Sequence, residues 1–441
     1  MRSNIKLVAA FAGALMPCLL TSAIAAPPDS DNFAGTAAVT VSGGTALPLA
    51  SFDISFVDPT IGLYVLGDRT NNAVDLVDTH SNTFQGFCGH GKFTGATGNN
   101  NTSGPDGVLI RDHREIWAGD GNSTVKVFDV AGCGETTAPT HTIITGSPAD
   151  NRADEMCYDP RDNLIMVANN AATPYPFGSL MSTTGYSVVG KIVFDGTHGA
   201  PKATNGAEQC QWSPRTGKFY ITIPGIETPD NGHGVVAVIN PHTKKVETTF
   251  DIPLAKCATP QGMAVGPDHD LLIGCNGAGS TTHSSVIIDE RNGKILATIA
   301  NESGPDEVWY NPGNNHYFLA RSAPASGEQA LGIIDAETMV ADTSISVGTI
   351  GKNAHSVAAD SVTNKTFLPI PGSIGGSDKR CSIAGGNDTS GCILVVTGKN
   401  DKDDKGDRGN DCIASGAPVI SGGDDDHDAN FLRGRCDHDR R

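Results

Sequence analysis

The sequence predicts an all-β chain folded as a seven-bladed β-propeller, closed into a ring by an N-terminal strand and followed by an acidic C-terminal tail. Three observations carry this prediction. A unit of roughly fifty residues recurs seven times, the period of a blade array. Each unit holds three short apolar segments parted by turns rich in Asp, Pro, Asn and Gly, such as 159–163 and 213–217. Strands this short with turns this regular are poorly compatible with helices.

The innermost strands, in order, open at Phe52, Asp106, Asp154, Glu208, Gln261, Asp306 and His355. The second strands are the apolar runs beginning at Leu63, Glu115, Leu164, Phe219, Leu271, Tyr317 and Thr366. The third strands are expected at Val74–Asp78, Val125–Asp129, Lys191–Asp195, Val235–Asn240, Val286–Asp289, Leu331–Asp335 and Ile393–Thr397. A fourth strand follows several units, as at Val246–Asp251 and Ile295–Ile299. The seventh unit has none, because Gly398 opens a charged stretch. The β-favouring segment Thr36–Ser42 is expected to supply it and to leave no unpaired edge in the ring.

Arg2 and Lys6, an apolar run from Leu7 to Leu20 and small residues to Ala26 read as a secretory signal over 1–25. The propeller then occupies 26–397 and an acidic, disulfide-tethered tail 398–441. Removal of the signal takes Cys18 with it and leaves ten cysteines, an even number suited to disulfides in a secreted or periplasmic protein. Cys381 with Cys392, Cys412 with Cys436 and Cys257 with Cys275 are the near pairs. Cys88, Cys133, Cys157 and Cys210 have no pairing legible in the sequence.

A formal net charge of −18 speaks against nucleic acid and anionic membranes as partners, and no insertion into a membrane is expected once the signal is gone. The two faces of the ring differ. Turns between first and second strands are uniformly short, whereas loops between second and third strands vary and are long at 169–187, 224–234, 275–284, 321–329 and 371–391. Variable loops mark a working face, fit for a small-molecule ligand or a protein partner. Above the inner-strand mouths, where Asp53, Asp106, Asp154, Glu155, Glu208, Gln209, Gln261, Asp306, Glu307 and His355 gather, these loops add Asp68, Asn169, Asn170, His233, Asn276 and His283. Oxygen ligands around a shaft suit calcium or another divalent cation, and His355, His233 or His283 would admit a transition metal. Each acid can equally serve as a bond acceptor between blades. In the pairs Asp154-Glu155 and Asp306-Glu307, strand alternation directs one side chain of each to the axis.

The units quoted above, over about Ser51 to Thr397, resemble the YVTN, NHL and lactonase-type propellers. The resemblance implies either an exported binding protein or a metal-dependent hydrolase of lactones or esters. In the hydrolase case it points to Asp106, Glu155, Asn276 and Glu307 as ligands of a calcium or zinc. The cation would polarise a carbonyl and activate water, with His355, His233 or His283 as base. The sequence holds no complete catalytic constellation of another kind, and the binding reading is the one it favours.

Overall fold

The computed structural model describes residues 33–42, 46–228, 233–277, 282–322, 329–342, 344–348, 355–372, 380–386 and 388–398. The expected signal over 1–25, the tail from 399 onward and its Cys412–Cys436 pairing lie outside the described residues. The described strands form seven antiparallel sheets, the blades of a propeller.

Blade 1 comprises Ser55–Asp58, Leu63–Asp68, Ala73–Asp78 and Thr83–Cys88. Blade 2 comprises Val108–Arg111, Glu115–Asp120, Thr124–Asp129 and His141–Ile144. Blade 3 is Met156–Asp159, Leu164–Asn169, Phe177–Ser182 and Ser187–Val193. Blade 4 is Cys210–Ser213, Lys218–Ile223, Gly234–Asn240 and Lys245–Ile252. Blade 5 is Pro260–Val265, Asp270–Cys275, Ser284–Asp289 and Ile295–Ala300. In blade 6, Pro305–Asn311, His316–Arg321 and Gln329–Asp335 are followed by two short pieces, Val340–Ala341 and Ile345–Gly348, that both pair with the third strand. Blade 7 joins Ala358–Asp360, Lys365–Ile370 and Cys392–Gly398 to the N-terminal strand Phe33–Val39.

That last pairing is antiparallel and runs from Phe33 opposite Gly398 to Val39 opposite Ile393. The strand begins three residues earlier than the sequence suggests. Blade 7 also meets blade 1 at the inner strands. The Ser55 amide donates to Ser356 Oγ at 2.7 Å, and Thr79 Oγ1 donates to Asp360 Oδ2 at 2.5 Å. The core is a set of seven apolar clusters, one between each pair of consecutive blades, including the pair 7 and 1. Each sheet therefore buries both faces, which explains strands apolar at nearly every position, such as Leu164–Asn169.

One strand assignment is corrected. The segment 191–195 was expected to be the third strand of blade 3, after a long loop over 169–187. The third strand lies inside that stretch, at Phe177–Ser182, and 187–193 is the outer strand. Gly178 and Ser179 dilute the apolar run, yet Phe177 through Met181 are all buried. The alternating exposure of 187–193 is that of an edge strand with one solvated face.

Four disulfides occur among the described residues. Cys257–Cys275 and Cys381–Cys392 are as expected. The four cysteines left unassigned pair as Cys88–Cys133 and Cys157–Cys210, each bridging neighbouring blades. Such cross-links mark a chain that folds in an oxidising compartment. No helix among the described residues is long and apolar enough to cross a membrane.

Candidate functional site

The inner-strand ladder places one polar residue of each blade at the same level of the shaft. The amides of Asp53, Asp106, Asp154 and Glu208 donate to the carbonyls of Gly67, Gly119, Ala168 and Thr222 at 2.9, 3.0, 2.7 and 2.9 Å. Continuing the register through blades 5, 6 and 7 puts Gln261, Asp306 and His355 at the equivalent position. A second tier follows one residue on: Ile54, Gly107, Glu155, Gln209, Gly262, Glu307 and Ser356. Both members of Asp154-Glu155 and of Asp306-Glu307 thus reach the shaft, at successive levels. The expectation that alternation sends one member of each pair elsewhere is corrected. The innermost strand has no neighbour on its axial edge, so side chains from either face of the blade bend into the shaft.

In the upper tier, opposite charges meet. Arg69 Nη2 donates to Asp53 Oδ2 at 2.5 Å and to Asp106 Oδ1, and its Nε donates to the same Asp106 oxygen at 3.1 Å. Arg152 Nη2 lies 2.8 Å from Asp154 Oδ2. Both arginines are gripped by the connector between blades 1 and 2. Asn100 Oδ1 accepts from Arg69 Nη1 at 2.6 Å, and the Asn100 carbonyl accepts from Arg152 Nη1 at 3.3 Å. Asn170 Oδ1 accepts from Arg152 Nε at 3.2 Å, and Asn169 Nδ2 donates to the Arg152 carbonyl at 3.1 Å. His355 Nε2 sits 2.9 Å from Asp53 Oδ1, with its ring stacked on Phe52.

Burial would raise the Asp53 carboxyl, but Arg69, His355 and Arg152 outweigh it and hold the group far below the ordinary carboxylate range. Burial dominates at Asp106, which is driven well above that range despite Arg69. Burial, opposed by Arg152 and aided by Asp53, pushes Asp154 up to about 7. His355 is raised: burial opposes its charge, and the bond to Asp53 more than compensates.

The lower tier has no cation of its own. Gln209 Nε2 donates to Glu307 Oε2 at 3.0 Å, while its Oε1 accepts from the amides of Met263 and Val308 at 2.5 and 3.3 Å. One side chain of blade 4 thereby ties blades 5 and 6, passing the bare Gly262 on the way. Glu155 and Glu307 hydrogen-bond to each other across the shaft, from blades 3 and 6. Both are driven well above the usual range by burial first. Repulsion from Glu307 then adds to the rise at Glu155, whereas the shared bond restrains Glu307. Two buried carboxyls that face each other repel unless a proton or a cation compensates. Glu208 and Asp306, at the mouth, are only half-buried. Glu208 is pushed up to about 8 by burial, then by Asp306 and Asp154.

The ligands implied by the resemblance already have partners within the chain. Asp106 is bonded to Arg69, Glu155 and Glu307 are bonded to each other, and Asn276 is half-buried with its amide donating to the Thr259 carbonyl at 3.0 Å. Among the described residues, the acids, histidines or cysteines grouped closely enough for a metal ion are Asp53, Asp106 and Asp154, whose ligand atoms lie within 4.8 Å of one another. The three expected bases separate as well. His355 is on the axis. His233 and His283 each precede the third strand of a blade, two strands out: His233 Nε2 lies 3.9 Å from Asp251 Oδ1, and His283 is exposed. Sequence reasoning missed Arg69, Arg152 and Asn100. The available signal was local, since Arg69 follows Asp68 and Arg152 precedes Asp154 by two residues, on the same side of an extended chain.

No family model matches the chain, and no curated protein matches it. Solved structures do share its fold. A chain of the mitotic checkpoint complex aligns with a TM-score of 0.54 at 11% identity, over 81% of this chain and 96% of that one. The hydrazine synthase of Kuenenia stuttgartiensis aligns with a TM-score of 0.53 at 12% identity, over 74% and 94%. U3-55K aligns with a TM-score of 0.55 at 10% identity, over 82% and 98%. At such identities the likeness is one of fold alone, and it does not narrow the propeller to the YVTN, NHL or lactonase group.

Proposed function

We propose that this chain is a binding protein that engages a small-molecule ligand or a protein partner through the face bearing the loops between second and third strands. The observation that carries this reading is the contrast between the two faces. On one, the loops range from 121–123 in blade 2 to 371–391 in blade 7. On the other, the hairpins between first and second strands hold nearly constant, from 59–62 in blade 1 to 361–364 in blade 7, and the long connection 130–140 of blade 2 is the exception on that face among the described residues. Variation concentrated on one face of a repeat array is what a recognition surface requires. The fold does not choose between binding and catalysis, since its neighbours include a chain of a checkpoint complex and a hydrazine synthase.

Two placements weigh against the metal-dependent hydrolase. His233 and His283 stand away from the shaft, and His355 is engaged with Asp53. A panel of lactones and esters, assayed with and without chelator beside elemental analysis of the protein, tests this directly. We expect no turnover, and chelator-sensitive turnover would end the binding reading. The face is tested by a photo-crosslinker placed at His283, on the long-loop face, or at Val362, on the opposite hairpin. Partner adducts are expected from the first position, and adducts from Val362 alone would reverse the assignment.

A further inference from the structure

We infer that Arg69 and Arg152 supply from within the chain the positive charge that a divalent cation would otherwise have to bring to the upper tier of the shaft. Asp53, Asp106 and Asp154 come from three consecutive blades and offer oxygens within 4.8 Å of one another. They are 6%, 0% and 3% exposed, so solvent cannot screen whatever charge they carry. A metal ion is one remedy. This chain uses another.

The Arg69 guanidinium lies between Asp53 and Asp106 and bonds both, and Arg152 takes Asp154. A guanidinium suits this place, being permanently charged, weakly hydrated and planar, with several donors in a fixed fork. Its remaining donors are also placed. Asn100 serves both arginines, one through its side chain and one through its carbonyl, and Asn170 takes Arg152 Nε. The two arginines are 3% and 8% exposed. Cations held this tightly are part of the hub and do not leave for an incoming ion. Asp106 Oδ2 and Asp154 Oδ1 keep no hydrogen-bond partner, so removal of an arginine would leave a set of buried oxygens with unmet charge.

The substitution Arg69→Ala tests this. Calorimetric titration of the full chain with calcium and with manganese is expected to show no shaft binding in the wild type. In Arg69→Ala it is expected to reveal a new site, with an affinity of about 10⁻⁴ to 10⁻³ M as a small oxygen set allows. Adding Asp106→Asn to the variant should abolish that site, and the metal should raise the melting temperature of Arg69→Ala but not of the double variant. A wild-type site that Asp106→Asn removes would overturn the inference, because metal and arginine would then coexist. A folded Arg69→Ala that gains no divalent binding would overturn it too. Should Arg69→Ala fail to fold, the comparison of wild type with Asp106→Asn still decides, and Arg69→Lys shows whether charge alone restores the hub.

Discussion

Gln209 shows how much a single side chain can hold together in this shaft. Its amide satisfies two backbone amides and one carboxylate belonging to two other blades. Replacement by Leu keeps the bulk and strands those groups in a buried place. At roughly 1–3 kcal/mol for each group left unpaired, Gln209→Leu should lose about 3 kcal/mol, read as a lower urea midpoint with an unchanged slope. Glu208 makes the opposite kind of statement. Its carboxyl stands at about 8 against an ordinary 4.5, so the native chain holds a proton that the unfolded chain has released. Its contribution is fully present below pH 4.5 and is lost as the pH climbs through 8. Melting curves of Glu208→Gln should therefore match the wild type near pH 4 and lie above it at pH 8. The ring of acids was legible because every repeat sets one polar residue at nearly the same offset from its second strand. The arginines were not, because Arg69 sits in a turn and Arg152 in a connector, and neither has a counterpart in the other units. Repeat logic finds what recurs and passes over what occurs once.

Between elements, backbone packs directly against backbone where blade 2 meets blade 3. A Cβ on Gly107 would fall 1.9 Å from the Asp154 carbonyl oxygen, and one on Gly119 would fall 2.0 Å from that of Ala153. These glycines let the inner and second strands of blade 2 approach the entry to blade 3, and so bring Asp106 and Asp154 together. Gly107→Ala should cost roughly 2–4 kcal/mol, since a rigid neighbouring backbone would have to retreat. Thermal unfolding measures this, and an unchanged melting temperature would show that the two blades slide apart freely. Blade 3 also shows where element reading fails. Phe177–Ser182 is buried between two blades, where close packing admits Gly178 and Ser179, so the strand lacks the apolar continuity by which the others were found.

For the whole molecule, stability depends on every interface in the ring, because the core is divided among seven contacts and has no central mass. Disulfides reinforce some of these contacts. Cys157–Cys210 bolts the inner strands of blades 3 and 4 across 53 residues of sequence. Replacing both cysteines with serine should cost roughly 2–4 kcal/mol, and the wild type under reducing agent should melt lower for the same reason. A differential scanning experiment on the two forms compares them, and equal stabilities would mean that the apolar cluster of that interface suffices alone.

The pairing of Phe33–Val39 with Cys392–Gly398 imposes a timetable. A ribosome makes the first of these strands six blades before its partner. Through that interval the early strand has no lasting seat, so the cell must tolerate or shield a sticky ribbon until residues 392–398 have been made. A stall anywhere between the two would lengthen that vulnerable wait.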